Sequence, residues 1–314
     1  MNKKDLKKDI PVVLLSTVML TTCFVGCSKS SDISENSNSN DNSNSNDNSN
    51  LAFDSEMMDE FNYDEFDYDE FDYGDELDYD TNRLFSKDGI EYFIIDEEKK
   101  TVSLELVEDK NIKSLDIGSL DVNGYTIEEI GIGVCDSCDD LESVIIPETV
   151  KKIGAQAFDG CKSLKEIIMK DGVKNIGNDA FAACVALEKI VIPDTVENIG
   201  RSAFMSCENL VDVVIGKKVK KIGDSAFSEC SNLKSITIPG NVKDIDKYAF
   251  ADCEKLVEVI IEDGVETIGD GAFYDCENIN IILPKNTKLY TDEYCTIEYD
   301  GELKEGPDVK VYIE

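Results

Sequence analysis

One 23-residue pattern recurs from Ile127 to Pro284 with almost no change in spacing. Each full copy has an aliphatic residue followed by Gly, except at Asp246, then Ala-Phe, then Cys three residues after the Phe, and Leu or Ile three residues after the Cys. The Phe positions are Phe158, Phe181, Phe204, Phe227, Phe250 and Phe273, and the Cys positions are Cys161, Cys184, Cys207, Cys230, Cys253 and Cys276. Such a period predicts a stacked repeat protein.

A single copy of the pattern is too small to fold alone. Its roughly seven apolar positions contribute about 10 to 20 kcal/mol if fully buried. Ordering the backbone opposes folding by about 1 to 2 kcal/mol for every residue. Neighbouring copies must therefore share one continuous core.

The unit reads V-x-x-I-G-x-x-A-F-x-x-C-x-x-L-x-x-[IV]-x-[IL]-P and resembles the Treponema-type, or BspA-like, leucine-rich repeats. The resemblance covers roughly half of the chain. It implies a curved right-handed solenoid, predominantly β with short helical or 3-10 turns, and a parallel sheet on its concave face built from the L-x-x-[IV]-x-[IL] segments. It also implies surface recognition and no reaction.

The chain divides into five predicted regions. Residues 127–285 hold the repeats. The first copy is degenerate, with Cys135 at the Phe position and Cys138 at the usual Cys position. Two alternating apolar runs at 91–95 and 101–107 predict a β-hairpin, so 81–126 is interpreted as an N-terminal cap. Residues 286–314 lose the period and are interpreted as a C-terminal cap.

The N-terminal region predicts export and lipid anchoring. Residues 1–26 combine lysines with a short apolar run, which is typical of a secretory signal. The run ends at Cys27 in a segment that resembles a bacterial lipobox, which implies lipidation of Cys27 and a location on the extracellular face of the cell membrane. The alternative is an ordinary signal peptide with an incidental cysteine.

Residues 27–80 predict a disordered linker. The first part is almost entirely Ser, Asn and Asp, and it has too few apolar side chains to drive its ordering. The second part repeats Phe-Asp-Tyr-Asp-Glu from Phe61 onwards. Either this acidic, aromatic block is an extended spacer, or it is a short interaction motif for a basic partner or for weak Ca²⁺ binding.

Charge and composition exclude several classes of function. The formal net charge is −36, which disfavours nucleic acid and anionic lipid as partners. The sequence has no histidine, so it lacks the residue needed for Ser-His-Asp or Cys-His catalysis and for His-ligated zinc. We predict no enzymatic activity, no cofactor and no metal.

The repeated cysteines predict a buried column. Stacked cysteines in adjacent turns have parallel Cβ directions, which suits small buried side chains better than disulfides. Cys135 and Cys138 form a lone C-x-x-C pair, which is weak as a zinc or redox motif without a second pair. Cys295 has no evident partner.

Alternation along the repeated strand predicts a partner-binding stripe. The outward position between the two inward aliphatic residues forms one column on the concave face, with a polar column beside it. This concave stripe comprises Ile145, Ile168, Val191, Val214, Thr237 and Ile260. An apolar strip with a polar rim is typical of contact sites, but β-branched neighbours that only stabilise the ladder would give the same pattern.

A second surface feature is a basic ridge along one edge of the solenoid. Its predicted members are Lys151, Lys174, Lys217, Lys218, Lys220, Lys221 and Lys243. The ridge is either a solvated edge or a surface that the acidic block covers at low salt.

Three functions fit the sequence. The first is a monomeric, lipid-anchored recognition or adhesion protein that binds a protein or glycan on host or neighbouring cells. The alternatives are a passive structural component of the envelope and, less favoured, a glycan-active enzyme that uses carboxylates.

Overall fold

The computed structural model describes residues 81–276 and 279–283, together with the backbone of four further strands near the C-terminus. The predicted signal, Cys27, the linker and the acidic block lie outside these residues. Residues 81 onwards belong to one compact unit, a parallel-sheet β-solenoid of about eight turns. Its fold is therefore the leucine-rich repeat solenoid that the sequence predicted, with 3-10 helices at Thr81–Arg83 and Ile117–Ser119.

Each turn of the solenoid contributes one longer strand to a main ladder. The L-x-x-[IV]-x-[IL] segments form these strands, as predicted, because their β-branched residues favour an extended backbone. Numbered in chain order, they are β4 (Ser114–Asp116), β6 (Ser143–Ile146), β8 (Glu166–Met169), β10 (Lys189–Val191), β12 (Asp212–Val214), β14 (Ser235–Ile238), β16 (Glu258–Ile261), β18 (Ile279–Leu283) and β22 (Val309–Ile313). Parallel pairing joins them in blocks of three, two and four strands.

A second ladder of two-residue strands runs along another side of every turn. It comprises β7 (Lys152–Ile153), β9 (Asn175–Ile176), β11 (Asn198–Ile199), β13 (Lys221–Ile222), β15 (Asp244–Ile245), β17 (Thr267–Ile268) and β19 (Lys288–Leu289). These strands stack in parallel without interruption, each one 23 residues after the last from β7 to β17. The sequence analysis predicted the first ladder but not this one.

The N-terminal cap continues the second ladder. Strands β1 (Leu84–Lys87), β2 (Ile90–Asp96) and β3 (Thr101–Val107) are antiparallel, and β3 then pairs in parallel with β5 (Thr126–Ile130). The sequence predicted two of these strands, and β1 is an additional one. Because β3 pairs with β5, the hairpin covers the first turn of the repeats.

The C-terminal residues add one further strand to each of the two ladders. Strand β22 pairs in parallel with β18, and β19 pairs in parallel with β17. Strands β20 (Ile297–Tyr299) and β21 (Leu303–Glu305) form a separate antiparallel pair. The last ordinary repeat is thus followed by a strand on each ladder.

Repeated side chains fill the interior at the same place in every turn. The six Phe side chains are at most 3% exposed. Successive rings are nearly parallel, with interplanar angles of 3° to 8° and centroids 5.2 to 5.6 Å apart. This spacing allows offset aromatic stacking, which adds to the free energy gained from burial.

Candidate partner-binding surface

The predicted stripe lies on the outward side of the main ladder. Within blocks of strands its members are neighbours, since Ile145 pairs with Ile168, Val191 with Val214, and Thr237 with Ile260. The residues on either side along each strand point inward, as the buried Val144 and Ile146 show. Backbone alternation therefore puts all six members on one face.

Exposure along the stripe is uneven. Val191 and Val214 are 47% and 45% exposed, and Thr237 is also exposed. Ile145, Ile168 and Ile260 are only partly exposed. The accessible apolar surface of the stripe is thus concentrated at its centre, on β10 and β12.

Two further apolar residues lie just before strands of the main ladder. Val211 is 41% exposed and precedes β12, while Val257 is 46% exposed and precedes β16. The sequence analysis did not select them because they fall outside the strand core. The repeat pattern nevertheless distinguishes Val211 and Val257, because the equivalent position is charged in four other copies. These are Glu142, Lys165, Glu188 and Lys234.

A polar column borders the stripe. Its members are Ser143, Glu166, Lys189, Asp212, Ser235 and Glu258, the first residues of their strands. The ammonium of Lys189 forms an ion pair with the carboxylate of Asp212 directly beside Val191 and Val214. Both partners are more than half exposed, so the pair contributes only about 0 to 1 kcal/mol to stability.

An open groove adjoins the stripe where the main ladder is interrupted. Among the described strands, β8 does not pair with β10, and β12 does not pair with β14. The groove at the second interruption has a volume of about 670 Å³, and it is lined by Val214, Thr237, Asp212, Lys217, Asn241 and Glu262, among others. Apolar and charged side chains therefore meet beside the most exposed part of the stripe.

The predicted basic ridge forms a column of mixed charge. Backbone hydrogen bonds from each turn to the one before place Glu128, Lys151, Lys174, Glu197, Lys220, Lys243 and Glu266 in one line. Lys220 pairs with Glu197 at 2.7 Å and Lys243 with Glu266 at 2.8 Å. Lys217, Lys218 and Lys221 are exposed nearby, and Lys221 pairs with Asp246 at 3.1 Å. The predicted ridge did not include the two terminal glutamates, which reduce the basic character of this edge.

The cysteine column is buried against the backbone. From Cys161 to Cys276, each Sγ donates to the carbonyl oxygen of the residue 26 positions earlier, at 3.1 to 3.4 Å. Burial raises the pKa of Cys207 to about 12 and raises the pKa of Cys184 and Cys230 well above its usual value. Thiols in such surroundings are inert and pack as small hydrophobic side chains.

A comparison with known families decides what kind of repeat this is. The sequence profile of the "BspA type Leucine rich repeat region (6 copies)" matches residues 128–257 and 220–296, which together span more than half of the chain. The chain belongs to the BspA-type leucine-rich repeat family. No curated protein matches it.

Solved structures include similar leucine-rich repeat proteins. The leucine-rich repeat protein TpLRR of T. pallidum is 32% identical, with a TM-score of 0.56, over 61% of this chain and 88% of that one. A leucine-rich repeat protein from Bacteroides ovatus is 27% identical with a TM-score of 0.44, over 65% of this chain and 66% of that one. The first of these similarities supports the solenoid fold independently of the repeat pattern.

Within residues 81–276 and 279–283, no three His, Cys, Asp or Glu side chains are grouped so that they could hold a metal ion. Burial, with Asp136 and Asp179 nearby, raises the pKa of Asp159 to about 6, but Asp159 follows Phe158 and does not line the groove. Leucine-rich repeat proteins are generally non-enzymatic, and the family gives no reason to expect a reaction here.

The same described residues contain no helix with the length and apolar character needed to cross a membrane.

Proposed function

We propose that this chain is a lipid-anchored recognition or adhesion protein that binds a protein partner through the central part of the outward stripe. The observation that carries the proposal is the exposure of Val191 and Val214, flanked by the ion pair of Lys189 and Asp212. An apolar centre with a polar rim is the usual composition of a protein contact site. Membership of a repeat family whose scaffolds bind proteins supports the same conclusion.

A protein partner fits this surface better than a glycan. The exposed side chains of the stripe are those of Val191, Val214 and Thr237, and none of its six members is aromatic. Sugar rings usually stack on aromatic side chains, whereas aliphatic strips with charged borders complement protein surfaces. Glycan binding, which the sequence left open, therefore becomes an alternative outcome of the test.

The first prediction concerns the stripe. Val191→Asp combined with Val214→Asp should abolish capture of a surface protein from host or neighbouring-cell extract by the immobilised protein. Two desolvated carboxylates would oppose burial at the contact, while the thermal melting curve should change little because both side chains are already half exposed.

A matched control separates the stripe from exposed apolar surface in general. Ile132 is 62% exposed and lies outside the stripe, so Ile132→Asp should leave capture unchanged. Capture that survives the double substitution would favour a passive envelope component. Loss of capture together with a large loss of stability would assign the stripe a structural role only.

The second prediction concerns anchoring. The mature protein should begin at Cys27 and carry acyl chains there, because the apolar run of the predicted signal ends at this residue. Two acyl chains are sufficient for stable membrane attachment. Mass spectrometry of the N-terminal peptide measures both features, and Cys27→Ser should release the protein from the membrane fraction. An unmodified chain that begins at another residue would contradict the lipoprotein assignment.

A further inference from the structure

The first turn of the repeats differs from the others at one buried position. Cys135 occupies the place of the Phe, and Cys138 occupies the usual place of the Cys. The amide of Cys138 donates to the carbonyl of Cys135 at 3.2 Å, just as the amide of Cys161 donates to the carbonyl of Phe158 at 3.4 Å. The first turn therefore has the same backbone hydrogen bond as the other turns, although a cysteine replaces its Phe.

This replacement brings two thiols together inside one tight turn. A hydrogen-bonded four-residue turn holds its first and last Cα atoms within about 7 Å, and a disulfide needs roughly 4.4 to 6.8 Å. Both side chains are fully buried, so the two thiols share the interior of the same turn. The other cysteines of the column are separated by a whole turn of the solenoid.

We propose that Cys135 and Cys138 form a dithiol site that is oxidised to an intramolecular disulfide across the first turn. Cys161 also contacts Cys138, but its sulfur is bound to the carbonyl oxygen of Cys135 at 3.2 Å, as the rest of the column is bound to the preceding turns. Its Cβ direction is parallel to that of Cys138, which does not suit a disulfide. Cys135 lies outside the column, at the position that Phe holds in the full repeats.

The electrostatics of the cluster favour Cys138 as the first nucleophile. Hydrogen bonding with the thiol of Cys135, the largest cause, lowers the pKa of the Cys138 thiol. Hydrogen bonding with Cys138, together with burial, raises the pKa of Cys135 and of Cys161. A thiolate is the species that attacks a disulfide, so we assign the first attack to Cys138.

The oxidant is a small-molecule disulfide, which reacts in two steps while the chain folds, before both thiols are buried. The Cys138 thiolate attacks one sulfur of the disulfide, which forms a mixed disulfide and releases one thiolate. Cys135 then loses its proton and attacks the Cys138 sulfur, which releases the second thiolate. The two protons that leave the cysteines end on the two released thiols, so the protein is oxidised by two electrons and the small disulfide is reduced.

The bond would strengthen the end of the array. The Phe stack stops at Phe158, and on its N-terminal side the next turn offers Cys135 instead of another ring. A covalent link within that turn holds it in shape where stacking is absent. In the cell, oxidation rests on the exported location of the proposed function, whereas the site itself is tested on purified protein and does not depend on partner capture.

The test is to refold the full chain from denaturant in buffers with defined ratios of oxidised to reduced glutathione, followed by acid quenching, alkylation and tryptic mapping. Cys135 and Cys138 fall in the peptide 114–151, and Cys161 falls in the peptide 153–162. In oxidising buffer the first peptide should lack alkylation and weigh two hydrogen atoms less than the unalkylated dithiol peptide, while Cys161 is alkylated; in reducing buffer it should carry two alkyl groups. Two alkylated cysteines in that peptide, or a link between the two peptides, would overturn the proposal.

Stability supplies a second readout. The oxidised protein should have a higher melting midpoint than the reduced protein, and this difference should vanish in Cys135→Ala. The matched control is Cys184→Ala, which removes a buried thiol from the middle of the column and should keep the difference. If Cys184→Ala fails to fold, the peptide map of the natural sequence still decides. A redox-dependent midpoint that persists in Cys135→Ala would contradict the site.

Discussion

Replacing Phe204 by alanine should lower the free energy of unfolding by about 3 to 5 kcal/mol. The side chain is fully buried and stacks on Phe181 at 5.4 Å and on Phe227 at 5.2 Å. Alanine would leave a cavity at the centre of the ring column, which adjacent turns cannot fill because their own side chains are fixed by the same repeat. Urea denaturation monitored by circular dichroism measures the change.

The position of the substitution within the column provides the control. Phe158 has only one stacked ring beside it, Phe181, because Cys135 holds the other neighbouring place. Phe158→Ala should therefore lower the free energy of unfolding by less than Phe204→Ala does, although both side chains are fully buried. Because each repeat contacts only its neighbours, the central substitution should also broaden the transition by uncoupling the two halves of the array. Equal losses at both positions would mean that stacking adds nothing to burial.

Replacing Gly200 by alanine should destabilise the solenoid by about 1 to 3 kcal/mol through overpacking. A Cβ at this position would lie 2.6 Å from the carbonyl carbon of Gly177 and 2.7 Å from the backbone nitrogen of Asn178. Both atoms belong to the backbone of the preceding turn, so no side-chain rotation relieves the contact. The turns would have to separate, which weakens the hydrogen bond from Gly200 to the carbonyl of Ile176 at 2.9 Å.

A glycine in the N-terminal cap isolates this steric effect. Gly124 has a φ of +82°, and an added Cβ would meet no atom within 4 Å. Gly124→Ala therefore tests the left-handed backbone conformation without crowding. It should lower the free energy of unfolding by about 1 kcal/mol. Asp246, the one natural exception in the glycine column, places its carboxylate 3.1 Å from Lys221. A melting midpoint unchanged by Gly200→Ala would show that every turn adapts as the turn of Asp246 does.

The repeat pattern alone determined the core. A 23-residue unit that stacks on itself puts each residue type in one environment, so a single copy of the pattern identifies the buried Phe, Cys, Leu and Ile positions throughout the array. Alternation within the repeated strand likewise placed the stripe on an outward face. Both inferences succeed because they depend on spacing, which the sequence states directly.

Features that depend on how neighbouring turns meet were decided only by the tertiary structure. The main ladder is interrupted at two places, and the groove beside Val214 lies at one of them. The turns on both sides of each interruption follow the same repeat pattern as the turns that do pair. By contrast, Val211 and the glutamates at the ends of the basic ridge follow the 23-residue period and could have been identified from the sequence.

Backbone conformation is the clearest example of a feature that only the tertiary structure decides. Two positions in every full turn have a left-handed φ between 51° and 66°, and most of them are not glycine. In one such column, Gly133 and Gly271 occupy the ends, while Gln156, Asp179, Ser202, Ser225 and Tyr248 lie between them. Local sequence gives no common signal for this conformation, because glutamine, serine and tyrosine all disfavour it by themselves. Hydrogen bonds and packing from the turns on both sides impose it, so it exists only once the turns are stacked.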